Sequence, residues 1–429
     1  MSAEEKWSGF KALAVLRPGA FRRYIIGSAI SDTGTWMQVM AQGWVMSTLT
    51  NKALLLGMVN FAAGLPMLAL TMVGGSAADR FDKRKILLVT QYVQIALAIS
   101  IGLLLLSGKI AIWHIFVFAA ILGISNSFEM PTMSALVPEL VKREQIQSAI
   151  AIDRAVFHGS RLVGPALAGL FVSLWGAASA FFANAVSFVA LIIAILSLPA
   201  RRRASAEEEK KRTSGIKEGF RYIAKDKPSL AMVALIATTT VFIFPIISVM
   251  MPLYVRNVLR LGPDSLGLLM AASAIGSVVG ALFLLSIPRA KRVPFMMIFV
   301  AMVACAIFGL SLATTFRGAI GLLIMNSLGL SMNFGLANTI VQERAPDYLR
   351  GRVSAVFGLS FFGLMPVAGL VITSVSDLIG MRNALMIGSI IYGVIGLFVL
   401  ARVQKQCRRP VVSEVESVET PPPPVAAAV

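Results

Sequence analysis

The chain has 429 residues, 57% of them hydrophobic and only 14% charged. Soluble domains carry about 45–50% apolar and about 25% charged residues, so composition excludes an ordinary soluble fold. The net charge is +18, but the basic residues fall in short segments between long apolar blocks, which argues against a nucleic-acid partner.

Each block is near the roughly 20 residues a helix needs to cross a bilayer core of about 30 Å. None shows the alternation of a barrel strand. In chain order they predict spans at 22–49, 53–78, 86–107, 110–135, 147–173 and 177–198, then 229–254, 264–288, 294–315, 318–341, 352–376 and 382–402. The expected architecture is an all-α membrane protein of about twelve transmembrane helices in two pseudo-symmetric six-helix bundles. Its parts are an N-terminal bundle at 1–198, a cytoplasmic linker at 199–228, a C-terminal bundle at 229–402 and a disordered tail at 403–429. In the linker, Gly215 to Lys225 has the pattern of an amphipathic helix lying on the membrane surface. Glu4, Glu5 and Lys6 precede any apolar run, so no cleaved signal peptide is expected and the first span directs insertion.

Alternate connections differ sharply in charge. One set holds only Lys52, Lys109, Arg256, Arg260, Arg317 and Arg382. Apart from Arg154 and Arg161, inside the fifth span, all other basic residues lie on the opposite side. Positive charge stays inside, so both termini are expected in the cytoplasm of a multi-pass cell (inner) membrane protein. The halves also repeat. Leu56 and Gly57 match Leu266 and Gly267. Arg80, Lys83 and Arg84 match Arg289, Lys291 and Arg292. Gly159, Gly164, Pro165 and Gly169 match Gly358, Gly363, Pro366 and Gly369. A repeat of this kind suits two bundles rocking about a central site. One chain holds both halves, so a monomer is sufficient.

Between spans two and three stand Gly75, Asp79, Arg80, Asp82, Lys83, Arg84 and Lys85. This resembles the loop 2–3 signature of the major facilitator superfamily, with Asp82 in place of the usual glycine. The resemblance implies a cytoplasmic gate of Gly75, Asp79, Arg80, Lys83 and Arg84. Asp79 would dock on the N-terminus of the eleventh span near Gly351 and Arg352, where free N–H groups and the helix dipole favour an anion. The run Asn126, Glu129, Pro131, Met133, Pro138, Glu139, with Arg161, Gly164, Pro165 and Gly169 and the start Phe21, Arg22, Arg23, Asp32, Gly34, Trp36, resembles the branch that contains the enterobactin exporter and related efflux permeases. Met133 stands where that branch usually has arginine. The glycines and Pro165 resemble the helix 5 element of drug–proton antiporters, and equally suit close helix packing.

Ionisable residues inside a membrane are functional candidates because an unpaired charge there is costly. Asp32 and Arg161 lie near the midplane, and Arg154, His158 and Arg161 share one helix face. Asp32 is expected to pair with Arg161 and to exchange a proton, with Glu129, Asp153 and Arg154 nearby; a static ion pair is the alternative. The second half offers no mid-membrane carboxylate. There Asn326, Asn333 and Asn338 are candidates for the central cavity or for interhelical contacts.

Cys305 and Cys407 provide neither a disulfide framework nor metal-ligand spacing, so no metal is expected. No nucleotide loop, catalytic triad or cofactor motif is present, so neither ATP, a cofactor nor an enzyme is expected. The expected function is a secondary transporter, with proton-coupled efflux of a small amphipathic, siderophore-like or drug-like molecule by alternating access. The partners are that substrate, protons and the lipid bilayer. An importer or symporter on the same fold, or a non-transporting membrane sensor, are the alternatives.

Overall fold

The computed structural model describes residues 14–198, 216–284 and 286–408. Among them there are helices and no strands. The N-terminal half is six long helices: α1 (Ala20–Leu49), α2 (Ala53–Arg80), α3 (Lys83–Leu106), α4 (Ile112–Leu136), α5 (Ile146–Trp175) and α6 (Ala177–Leu196). A surface helix, α7 (Ile216–Lys225), precedes the second half. That half comprises α8 (Lys227–Phe242), α9 (Pro263–Leu284), α10 (Arg292–Leu312), α11 (Phe316–Arg344), α12 (Arg350–Gly358), α13 (Met365–Ile379) and α14 (Met381–Arg408).

Among the described residues, eleven segments are long and apolar enough to cross a membrane. The expected twelfth, α1, falls outside them although its 30 residues span about 45 Å at 1.5 Å per residue. Its serines, threonines, glutamines and Asp32 lower its hydropathy, and it is placed where polarity is tolerated, packed against α5 and α6.

The repeat of the sequence is a repeat of packing. In the first half α2 lies on α4, α1 on α6 and α3 on α6; in the second, α9 lies on α11, α8 on α14 and α10 on α14. Between halves, α5 meets α9 and α13 meets α2, again equivalent pairs. Charges repeat too. Lys83 pairs with Glu139 at 3.0 Å, and Arg292 with Glu343 at 2.7 Å.

The halves differ in helix continuity. Pro66, Pro131 and Pro165 sit within unbroken helices of the first half. The span expected at 229–254 is instead interrupted. After α8 it continues as short turns at Phe244–Ser248 and Met251–Leu253 and a π turn at Tyr254–Leu259. Pro245 and Pro252 lack the N–H that would continue the ladder. The span expected at 352–376 is likewise split by a π turn at Leu359–Gly363.

Helix α7 packs on α12, with Ile223 buried, Phe220 exposed and Gly219 against the Arg352 backbone. Glu218 pairs with Arg352, the Tyr222 hydroxyl donates to the Arg344 carbonyl at 2.6 Å, and Arg344 grips Asp226 through two bonds of 2.8 and 2.6 Å. Helix α14 continues past the expected boundary at 402 to Arg408. The rest of the expected tail, and linker residues 199–215, lie outside the described residues.

The bundles share an apolar cluster at one end and, among the described residues, none at the other. At the end bearing the 50–52 and 260–262 connections, an apolar cluster joins Val45, Leu56 and Val59 to Val249 and Leu253. At the end bearing the basic connections, the cluster around Phe21, Tyr24 and Leu87 contains first-half residues alone among those described.

Candidate functional site

The polar interior of the first bundle is built on α1. Tyr24, Ser28 and Asp32 recur every four residues, so they line one side of the helix. Tyr24 is buried, and the Ser28 hydroxyl donates to Asp32 at 3.1 Å. Glu129, from α4, and Asp153, from α5, lie within electrostatic reach of Tyr24 and Asp32.

Glu129 is held from α3. The Gln91 amide donates to one carboxylate oxygen at 2.7 Å, and the Gln94 amide donates to the other. Gln94 also reaches Ser125 at 3.2 Å. The Gln91 carbonyl oxygen is buried without a partner. This pairing can serve two states. An ionised Glu129 accepts from the amide nitrogens, and a protonated Glu129 can donate to an amide oxygen after the amide turns over. Tyr24, Gln91 and Gln94 were absent from the sequence expectation; the available signal was two amides three residues apart in an otherwise apolar span.

The expected Asp32–Arg161 ion pair does not form. Arg161 lies over the Trp36 ring, 5.4 Å from its centroid, and Trp36 meets Phe157 edge-on. Trp36 is one turn beyond Asp32, so the guanidinium takes the aromatic face while Asp32 takes the Ser28 hydroxyl. What joins α1 to α5 at this level is Thr33, donating to Ser160 at 3.2 Å, and the absence of a side chain at Gly164. A Cβ there would stand 2.6 Å from that of Trp36. Arg154, His158 and Gly159 are exposed, and Asp153 is half-buried. Pro165 and Gly169 face the other bundle. The Pro165 carbonyl lies 2.3 Å from where a Gly267 Cβ would be, and Gly169 sits against Pro263 and Asp264. The helix 5 element is therefore a packing seam between α5, α1 and α9.

In the second bundle the amides are not where a cavity would use them. Asn326 and Asn333 are fully buried; both Asn326 amide heteroatoms are unpartnered, Asn333 lies beside the Tyr392 hydroxyl, and Asn338 is half-exposed. Helix α11 turns Asn326 and Asn333, two turns apart on one face, into the bundle. An aromatic group sequence reasoning missed sits at the helix breaks. Phe361 of the π turn meets Phe244 at 4.8 Å and Phe334 at 5.4 Å, both edge to face.

The gate residues are apart. Asp79 is exposed and forms no hydrogen bond or ion pair among the described residues, and nothing lies within 4 Å of a Cβ placed on Gly75 or Gly351. Arg352 is held by Glu218. Beside Asp79 opens a groove of about 1240 Å3, also lined by Lys83, Arg84, Ser125 and Phe128. Arg84 donates to the Leu196 carbonyl at 3.0 Å.

The profile of the transmembrane secretion effector family matches residues 10–429. The chain belongs to that family, within the major facilitator superfamily. It resembles the multidrug efflux pump Tap of Mycolicibacterium fortuitum, 25% identical over 87% of this chain and 94% of that one. It also resembles the staphyloferrin A transporter of Staphylococcus aureus (24%, covering 81% and 87%) and macrolide efflux protein A of Streptococcus pyogenes (24%, covering 83% and 89%). Two solved structures share the fold. One is a bacterial homologue of the iron transporter ferroportin in an inward-facing state, with TM-score 0.69 and 15% identity, covering 91% of this chain and 99% of that one. The other is a bacterial homologue of the human lysosomal transporter Spinster, inward-facing and occupied, with TM-score 0.69 and 12% identity, covering 90% and 97%. Like its family, the chain is a multi-pass membrane transporter of small molecules and not an enzyme.

Proposed function

We propose that this protein exports a small amphipathic molecule across the cell (inner) membrane by proton-coupled alternating access, with both termini in the cytoplasm. The observation that carries the reading is the asymmetry of the bundle contacts. The ends bearing few basic residues share an apolar cluster, and among the described residues the ends bearing the basic connections do not. With positive charge inside, that is an arrangement open to the cytoplasm. Asp79 would then close the cytoplasmic end by docking on α12 when the bundles rock.

Asp32 and Glu129 are the proposed proton sites. Their support is a buried carboxylate whose amide partners can satisfy either protonation state. The efflux relatives support export, and their named cargoes, a siderophore and drugs, support an amphipathic substrate.

The test compares metabolites in spent medium and cell extract, with and without the protein and with Asp32→Asn or Glu129→Gln. Export predicts a compound that moves to the medium with the wild type alone. Depletion of a compound from the medium would sink export. Unchanged efflux in both variants would sink the proton sites.

A further inference from the structure

Helix α2 begins at Lys52, whose side chain gives the helix no cap. Its first N–H groups are nevertheless satisfied, by a residue of the other bundle. One carboxylate oxygen of Asp377 accepts from the Ala53 N–H at 2.7 Å, and the other from the Leu54 N–H at 2.9 Å. A carboxylate at a helix N-terminus makes charge-assisted bonds and meets the positive end of the dipole. Two further contacts hold the same end closed. A Cβ on Gly57 would stand 3.0 Å from the Gly369 carbonyl, so α2 and α13 touch backbone to backbone. Arg256 reaches the Ser47 carbonyl and, at 3.0 Å, Asn51.

The same pair of spans offers a counterpart to this contact at its other end. Helix α13 ends the eleventh span as α2 ends the second, and each span leaves a carboxylate near its last turn, Asp377 and Asp79. Each span also starts without a side-chain cap, at Lys52 for α2 and at Leu349 for α12. The Asp377 contact is made, whereas Asp79 is exposed and unbonded.

We propose that Asp377 is the latch of the outer gate, and that it and Asp79 act reciprocally. Each carboxylate caps the uncapped start of the other's helix, and rocking releases one as it engages the other. The Asp377 half stands on bonds that are present. The Asp79 half rests on the gate reading proposed above.

The test uses full-length protein with Cys305→Ser and Cys407→Ser. Spin labels at Ser107→Cys and Arg317→Cys report the outer end, and labels at Ser76→Cys and Ala355→Cys the basic end. Asp377→Asn is expected to lengthen the outer distance and shorten the basic-end distance, shifting the population ratio about tenfold, as for losing charge-assisted hydrogen bonds. Asp79→Asn is expected to shift it oppositely, and the double variant to return toward the wild type. Asp377→Glu should retain most of the wild-type distribution. Unchanged distances in Asp377→Asn overturn the latch, as does broadening at both ends without closure of the basic end, which marks a merely structural cap. If Asp377→Asn shifts the ratio while Asp79→Asn does not and the double variant matches Asp377→Asn, the latch stands and the reciprocal half falls with the gate reading.

Discussion

The two halves share a scaffold and divide its chemistry. In the first, carboxylates enter the bundle and are held by amides and hydroxyls, and the helices run unbroken through their prolines. In the second, the interior polar groups are neutral and partly unpartnered, and two spans are interrupted. A rigid, charged half and a bendable, neutral half suit different tasks. The first can hold a proton in fixed geometry, and the second can yield at its breaks as the ends open and close.

Glu129→Gln should break this contrast most severely. Removing the charge that Gln91 and Gln94 hold is expected to lower efflux by about tenfold or more, and to flatten its dependence on external pH, read in everted vesicles. Gly267→Leu is expected to cost about 1–3 kcal/mol by overpacking the α5–α9 seam, seen as a lower melting temperature. Asn326→Leu should sharpen the contrast in the other direction. Removing an unpartnered buried amide relieves a desolvation cost of about 1–3 kcal/mol less the strain of the new side chain, so the melting temperature should hold or rise. Gln94→Leu in the first half should lower it.

A smaller effect concerns Asp226. Burial alone would raise its carboxyl, but hydrogen bonds from Arg344 and the Ser229 N–H outweigh burial and hold it below the ordinary range. Its contribution is therefore full above the ordinary carboxylate pKa of about 3.9 and lost as pH falls through the lower folded value. Asp226→Asn should flatten the acid limb of a melting-temperature profile. Least of all, Lys83→Ala and Arg292→Ala break equivalent interfacial pairs and should each cost under about 1 kcal/mol; a much larger loss in one would show that the halves differ here too.

The spans and the repeat were legible because an apolar block of bilayer length, ended by basic residues, has few other structures open to it. The loop between the second and third spans stood out as a motif, and Asp32 and Glu129 as charges out of place. Their partners were not. Glu129 meets Gln91 across 38 positions and Asp377 meets Ala53 across 324, and no local pattern encodes such pairings. Arg161 was misassigned because depth alone cannot choose between a carboxylate and an aromatic face one turn away. For the amides of α11 the sequence left a cavity and an interhelical contact open, and the fold buries Asn326 and Asn333.

The π turn at Leu359–Gly363 has a consequence for Asp377. Such a turn holds one residue more than the α-helical ladder needs, and each residue advances a helix by about 100°. The insertion therefore sets the rotational phase of everything beyond it. Closing that turn into a regular α-helix without deleting a residue would swing Asp377 by about 100° and carry its carboxylate away from the start of α2. A local irregularity beside Phe361 thus works as the vernier that aligns a contact some four turns further along the chain.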